Sequence, residues 1–315
     1  MKITDVYYHA SCPDGTASAV ILADAFRVLG RQDINFHAVT YNDKLEQLTP
    51  AFGQLFVDIT PPRSRWTEWV PFSPVVLDHH ESAEQVIRGL SGVYGNNATH
   101  SGAKLAYDFV HDVLRPGYSC DSQDGFKQFA ELAMIRDTWK KDHIRWVEAC
   151  SQALALQFYG SKHLIELATT GRLYDNDGLN LDFIHDLGNL LFEKNLRKVN
   201  IVADGASHAL IQTRHQTIKV STFNCTEGLI SDVANKLIEG GDDISVGYFY
   251  VTEYGKNKLV CSVRTSGLFS ASKIAQYHGG GGHERAAGFS CGEAVNVSPG
   301  EIIQMIKGAL TVQNQ

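Results

Sequence analysis

The stretch "FSPVVLDHH", residues 72–80, leaves a proline, crosses the apolar residues Val75, Val76 and Leu77, and ends in an aspartate and two histidines. Such a short β-branched run reads as a buried strand. Three polar side chains at its carboxyl end raise the question of a site. Runs of the same kind lie upstream: "ITDVYYHA" (3–10), "INFHAVTY" (34–41) and "GQLFVDIT" (53–60). Helical periodicity separates or follows them, in "GTASAVILADAFRVL" (15–29) and over 82–90, 101–114 and 125–137. Strands interleaved with helices predict an α/β fold with a mostly parallel sheet and helices on both faces. In such sheets ligands bind beyond the carboxyl ends of the strands.

Residues 145–200 read as mainly helical, with "LDFIHDLGNLLFEKNLRKVN" (181–200) the longest candidate. A second α/β pattern follows. Strands are expected in "SHALIQTR", "TIKVSTF", "DDISVGYFYV" and "NKLVCSVRT", and helices in "EGLISDVANKLIEG" and "PGEIIQMIKGAL". The expected organisation is a domain over 1–190, a helical linker or hinge over 191–205, and a smaller domain with a mixed sheet over 206–315.

The 315 residues are 43% hydrophobic and carry a net charge of −7, so a basic footprint for long duplex nucleic acid is not expected. None of the six cysteines pairs with another at CxxC spacing, which argues against a structural zinc site or dithiol motif. No apolar run approaches the roughly 18 residues needed to span a membrane. The N-terminal segment lacks a long apolar stretch. The expectation is a cytoplasmic protein with reduced thiols and no membrane contact.

Chemistry-bearing residues gather at strand and helix ends. His9 closes the first strand and Asp14 follows in "CPDG". Asp58 closes "LFVD", Asp78, His79 and His80 close "VVLDHH", and Asp137 closes the helix "FAELAMIRD". Each alone has an ordinary reading: an aspartate there is most often a turn or cap residue, and a histidine is more often structural than ligating. Their agreement favours a cluster, because parallel strands bring their carboxyl ends to one edge. Clustered carboxylates repel one another unless cations lie between them. Mixed carboxylate and imidazole ligands suit manganese, iron, cobalt or zinc. The other distinctive stretch is "HGGGGHERAAGF" (278–289), whose glycine amides and His283 could hold an anion; Arg264 ends a nearby strand candidate.

"LDHH" at 77–80 and "SVRTSG" followed by "GGGGHERAAGF" together resemble the DHH phosphoesterase superfamily, in its nanoRNase, exopolyphosphatase-like and RecJ-like branch. The resemblance covers nearly the whole chain. It implies a metal-binding catalytic domain, a DHH-associated substrate-binding domain, and an active site in the cleft between them. It implies metal ligands at His9, Asp14, Asp58 (bridging), His79 and Asp137. Cys12 stands where the family pattern has a first aspartate. Asp78 would orient His79, and His80 would face the substrate phosphate. Arg264, Gly280, Gly281, Gly282 and His283 would contact substrate.

The implied cofactor is a pair of divalent ions, foremost Mn2+. The implied activity is hydrolysis of short oligonucleotides or dinucleotides by a metal-activated water, and a homodimer is compatible with it. The alternatives are an exopolyphosphatase, a pyrophosphatase, a cyclic-nucleotide phosphodiesterase, or a catalytically weak nucleotide-binding module. Stacking aromatics such as Tyr248, Phe249 and Tyr277 would favour nucleotides over polyphosphate.

Overall fold

The computed structural model describes residues 2–10, 12–40, 43–80, 83–95, 99–114, 122–176, 178–213, 216–253, 256–293 and 297–313. These fall into two compact units, Met1–Phe192 and Glu193–Gln315. Five cysteines are free, and Cys120 lies outside the described residues. No described helix is long and apolar enough to cross a membrane.

The first unit begins β1 (Asp5–His9), α1 (Pro13–Val28), β2 (Asn35–Val39), α2 (Asp43–Glu46), β3 (Gln54–Val57), β4 (Val75–Asp78), α3 (Glu84–Gly89), β5 (Ser91–Tyr94) and α4 (Gly102–Phe109). It continues with α5 (Ser122–Asp137), α6 (Trp146–Tyr159), α7 (Ser161–Thr169), the short β6 (Tyr174–Asp175) and β7 (Gly178–Leu179), and α8 (Asp182–Asp204). β1 to β5 form one sheet in the order β2-β1-β3-β4-β5, with every pairing parallel. β5 escapes the sequence reading because it is four residues at a sheet edge, two of them the weak β-formers Ser91 and Gly92.

Strand periodicity sorts the central residues onto two cores. Val6, Tyr8, Leu55, Val57, Val75 and Leu77 pack against α1 and α4 to α7. Phe56 and Val76 face the other way, with Leu45, Trp69 and Ile87. Both sheet faces are therefore covered, which explains the near-continuous apolar character of β3 and β4. α1 starts with proline in its first turn, where the missing N–H costs nothing. At Gly15 a Cβ would lie 2.2 Å from the His9 carbonyl oxygen, so this glycine lets the helix begin directly against the end of β1.

The second unit takes in the end of α8 and continues with β8 (Ser207–Gln212), β9 (Thr217–Asn224), α9 (Glu227–Glu239), β10 (Ile244–Glu253), β11 (Lys256–Thr265), α10 (Ala271–Tyr277), β12 (Gly281–Gly282), β13 (Ala286–Glu293) and α11 (Pro299–Gln313). Its sheet has the order β12-β13-β11-β10-β9-β8 and is mixed: only β9 and β10 pair in parallel. Residues 191–204, expected as a helical linker, lie within α8.

Candidate metal centre

The strand order 2-1-3 places a topological switch at β1 and β3, because the chain leaves β1 toward one neighbour and returns on its other side. His9 ends β1 and Asp58 follows β3 at that point. Tyr8 is level with Val57, and Val57 with Leu77. His9, Asp58 and Asp78 thus follow in one lateral row. Asp58 then leaves its strand with a left-handed backbone, φ +58°, while its N–H still bonds the Leu77 carbonyl at 2.9 Å.

Around Asp58 the other groups converge. Its Oδ1 lies 3.3 Å from His79 Nε2 and its Oδ2 lies 3.4 Å from His9 Nδ1. His79 Nε2 is also 3.3 Å from Asp137 Oδ2 and 3.9 Å from Asp14 Oδ2. Asp78 Oδ1 accepts from the His79 and His80 backbone N–H groups at 2.7 and 3.1 Å, and lies 2.7 Å from His80 Nδ1. Three donor sets each bring one ligand atom per residue within 4.8 Å of the others: Asp58, Asp78, His79 and His80; His9, Cys12 and Asp58; and Asp14, His79 and Asp137.

The cluster is closed to water on one side. Asp14, Asp58, Asp78 and His79 are 2%, 1%, 0% and 2% exposed. Asp78 Oδ2 is buried without a hydrogen-bond partner among the described residues, and buried Asp58 Oδ2 meets the His9 imidazole at 3.4 Å. Burial alone would neutralise such carboxylates. Burial, then the fields of Asp58 and Asp137, push Asp14 well above the usual range. Burial also pushes Asp58 upward, but its contacts with His79 and His9 outweigh that and hold it low. Burial disfavours a charged His79, yet Asp58, Asp137 and Asp14 raise it to about 10. His80 is likewise opposed by burial and raised by Asp78 to about 8. Burial and the three carboxylates keep the Cys12 thiol protonated. In the bare protein, protons occupy the role that cations would take. An orphaned carboxylate oxygen beside further carboxylates, imidazoles and a thiol at one crevice fits divalent metal ions.

One part of the site was not read from sequence. Asp14 Oδ2 accepts from the Gly102 N–H at 2.6 Å, and its Oδ1 accepts from the Ala103 N–H at 3.1 Å. The start of α4 thus holds Asp14 in place, where the helix dipole favours an anion. A Cβ at Gly102 would lie 2.5 Å from Asp58 Cβ and 2.9 Å from Asp14 Oδ2. The available signal was "SGAK" (101–104), a serine cap and a glycine opening a helix.

The remaining candidates lie in the second unit. Arg264 on β11 donates to Ser231 Oγ of α9 at 2.8 Å and to Ser262 Oγ and the Val263 carbonyl at 3.0 Å. The glycine run does not form one open loop: Gly281 and Gly282 pair with Gly288 and Ala287 of β13. Gly280 is a packing glycine, since a Cβ there would lie 2.2 Å from the Gly288 carbonyl oxygen. His283 is exposed, and its N–H donates to the Ala286 carbonyl at 2.8 Å. Tyr248 is a core residue, Phe249 packs beside α9, and Tyr277 is half exposed.

Solved structures share this architecture at low sequence identity. PggH from Vibrio cholerae, a pGpG-specific phosphodiesterase, aligns over 99% of this chain and 98% of its own, with TM-score 0.54 and 14% identity. The DHH domain of a protein from a ribosomal-protein family aligns over 99% of this chain and 86% of its own, with TM-score 0.59 and 13% identity. RecJ from Thermus thermophilus, in complex with Mn2+, aligns over 98% of this chain and 52% of its own, with TM-score 0.55 and 15% identity. No family model and no curated protein matches the chain. In fold, the chain is similar over nearly its whole length to these DHH-domain structures.

Proposed function

We propose that the chain is a metal-dependent phosphodiesterase acting on short oligonucleotides or dinucleotides. The observation that carries this reading is Asp58, a buried carboxylate at the switch point whose two oxygens face two different imidazoles. A carboxylate so placed is suited to be shared by two ions. His9 and Cys12 would complete one position; Asp14, His79 and Asp137 would complete the other. Divalent ions bound there would acidify water and offset charge on a phosphate. Asp78 fixes His80 through Nδ1 and favours its charged form, so a protonated Nε2 would serve as a donor for an anionic oxygen. Arg264, Gly280, Gly281, Gly282 and His283 are assigned to substrate. The forked Arg264 guanidinium is already oriented by Ser231 and Ser262. A structure alike in fold acts on pGpG, which supports a short phosphodiester as substrate.

Cys12 bears on the choice of ion. A thiol is softer than the carboxylate of the family pattern and favours zinc or cobalt over manganese. The deciding experiment is a hydrolysis panel with manganese, cobalt, zinc and magnesium. Its substrates are di- to pentanucleotides, cyclic dinucleotides, cyclic mononucleotides, polyphosphate and pyrophosphate. Turnover of the di- and oligonucleotides is expected. Turnover confined to the inorganic substrates would transfer the reading to a polyphosphatase. Tight nucleotide binding without turnover under any ion would leave a binding module.

A further inference from the structure

Two residues beyond Asp137, at a position that suits glycine, the chain carries a tryptophan. α5 ends in a Schellman motif: the Lys140 N–H bonds the Ile135 carbonyl at 3.0 Å, and the Trp139 N–H bonds the Arg136 carbonyl at 3.3 Å. Trp139 takes the left-handed position of that motif, φ +56°. Glycine is favoured there, and a bulky residue is an outlier. Strain of this kind persists where something else holds it, and it concentrates at functional sites.

Core burial does not account for the ring. Trp139 is half-buried, and it lies among cations and a second indole. Arg136 Cζ is 4.2 Å from its centroid, Lys141 Nζ is 5.1 Å away, and the Trp146 ring meets it edge-on at 5.2 Å. Arg136 also lies 5.4 Å from the Trp146 centroid. The plain alternative is that these cation–π contacts only brace the turn. Two further facts exceed that. Arg136, Lys140, Lys141 and Arg145 fall within ten residues that hold two aspartates, Asp137 and Asp142, in a chain whose net charge is −7, and Arg145 is paired with Glu148 at 2.9 Å. The neighbouring Ile144 is 95% exposed, so the segment keeps apolar surface in water. Aromatic rings set among arginine and lysine bind nucleotides: the ring offers a stacking face to any base, and the cations meet phosphate. Two extended residues span at most about 7 Å, so the Trp139 backbone lies within that distance of Asp137, whose carboxylate faces His79.

We propose that Trp139, braced by Arg136 and Trp146, is the surface on which a nucleobase of the substrate stacks beside the metal centre, with Lys140 and Lys141 meeting its phosphate. This assigns nucleotides rather than inorganic polyphosphates to the site, and it rests on the phosphodiesterase reading. Lys141, on a flexible stem, yields its place over the ring to a base.

The test uses the full chain and two variants. Trp139→Gly removes the ring and suits the left-handed backbone, so folding is preserved; Trp139→Phe keeps an aromatic face. Binding of a phosphorothioate-linked dinucleotide and of inorganic tripolyphosphate is measured by calorimetry, beside metal content. Trp139→Gly should weaken the dinucleotide about tenfold or more. It should leave tripolyphosphate binding and metal content as in wild type, and Trp139→Phe should recover most of the loss. Equal losses for both ligands, or dinucleotide binding within about twofold of wild type, would overturn the assignment. So would a wild-type protein that does not bind the dinucleotide. If the dinucleotide binds but its unmodified counterpart is never hydrolysed, the phosphodiesterase reading falls, while the binding ratios still judge Trp139.

Discussion

The two units carry charge in opposite conditions. In the first, four carboxylates, three imidazoles and a thiol share one crevice. Asp78 Oδ2 there has no donor among the described residues, and His79 and His80 hold protons up to about 10 and about 8. In the second, Arg264 is bonded to two serines and a carbonyl. Two of the glycines are closed against β13, and the His283 N–H is engaged in a turn. The first arrangement is balanced only by something brought from outside. The second is complete by itself, so a ligand must compete with contacts already made. Residues equally conspicuous in sequence therefore stand in different energetic states, and substitutions in the two units should fail in different ways.

The sharpest break of that contrast is at Asp58. Asp58→Ala should lower turnover by roughly 10³-fold or more, since the group placed to serve both ion positions is lost. The metal-free protein should remain folded, because the two apolar cores beside the strand do not depend on this carboxylate. Activity within a few-fold of wild type would end the two-ion account. Gly102→Ala comes next. Its Cβ would press on Asp58 and Asp14, at a cost of about 1–3 kcal/mol for overpacking. Turnover should fall with metal affinity, as read by mass spectrometry and thermal unfolding together. Unchanged affinity would mean that α4 gives way freely.

Substitutions in the second unit should be milder. Arg264→Ala or His283→Ala is expected to raise KM about tenfold, the size of one charged hydrogen bond, and to leave metal content untouched. Loss of metal from either variant would erase the contrast between the units.

The smallest effect concerns pH in the metal-free protein. His79 is raised from its ordinary 6.5 to about 10, so its stabilising contribution is full below 6.5 and fades as pH rises through 10. Asp14 and Cys12, also raised, act in the same direction. Asp58, held low, has the opposite sign: its contribution is full above its ordinary 3.8 and is lost only as pH falls below that. The unfolding temperature should therefore decline from pH 6.5 toward 10, and added divalent ion should flatten that decline. A flat profile without metal would show that the imidazoles are not held charged.

The strand ends were legible because apolar alternation stops abruptly at His9, Asp58 and Asp78, and parallel pairing turns those stops into neighbours. β5 was not legible, because Ser91 and Gly92 have little strand preference and pair only through β4. The grip on Asp14 was hidden for a different reason. It joins residues 88 apart, and backbone N–H groups carry no residue signature. The glycine run shows the converse limit. Its composition is plain, but whether an amide is open to an anion depends on the strand beside it, and β13 takes part of the run.

The left-handed backbone at Asp58 sets a trap for selection. Glycine at that position would relax the φ angle at a gain of about 1 kcal/mol, yet it would leave His79 and His9 without the buried anion they both face. A library screened for heat tolerance alone would weigh only that local balance and would be blind to the ions that Asp58 is placed to share. In this chain the strained backbone at Asp58 is kept for its carboxylate, and a stability screen reads only part of what that carboxylate does.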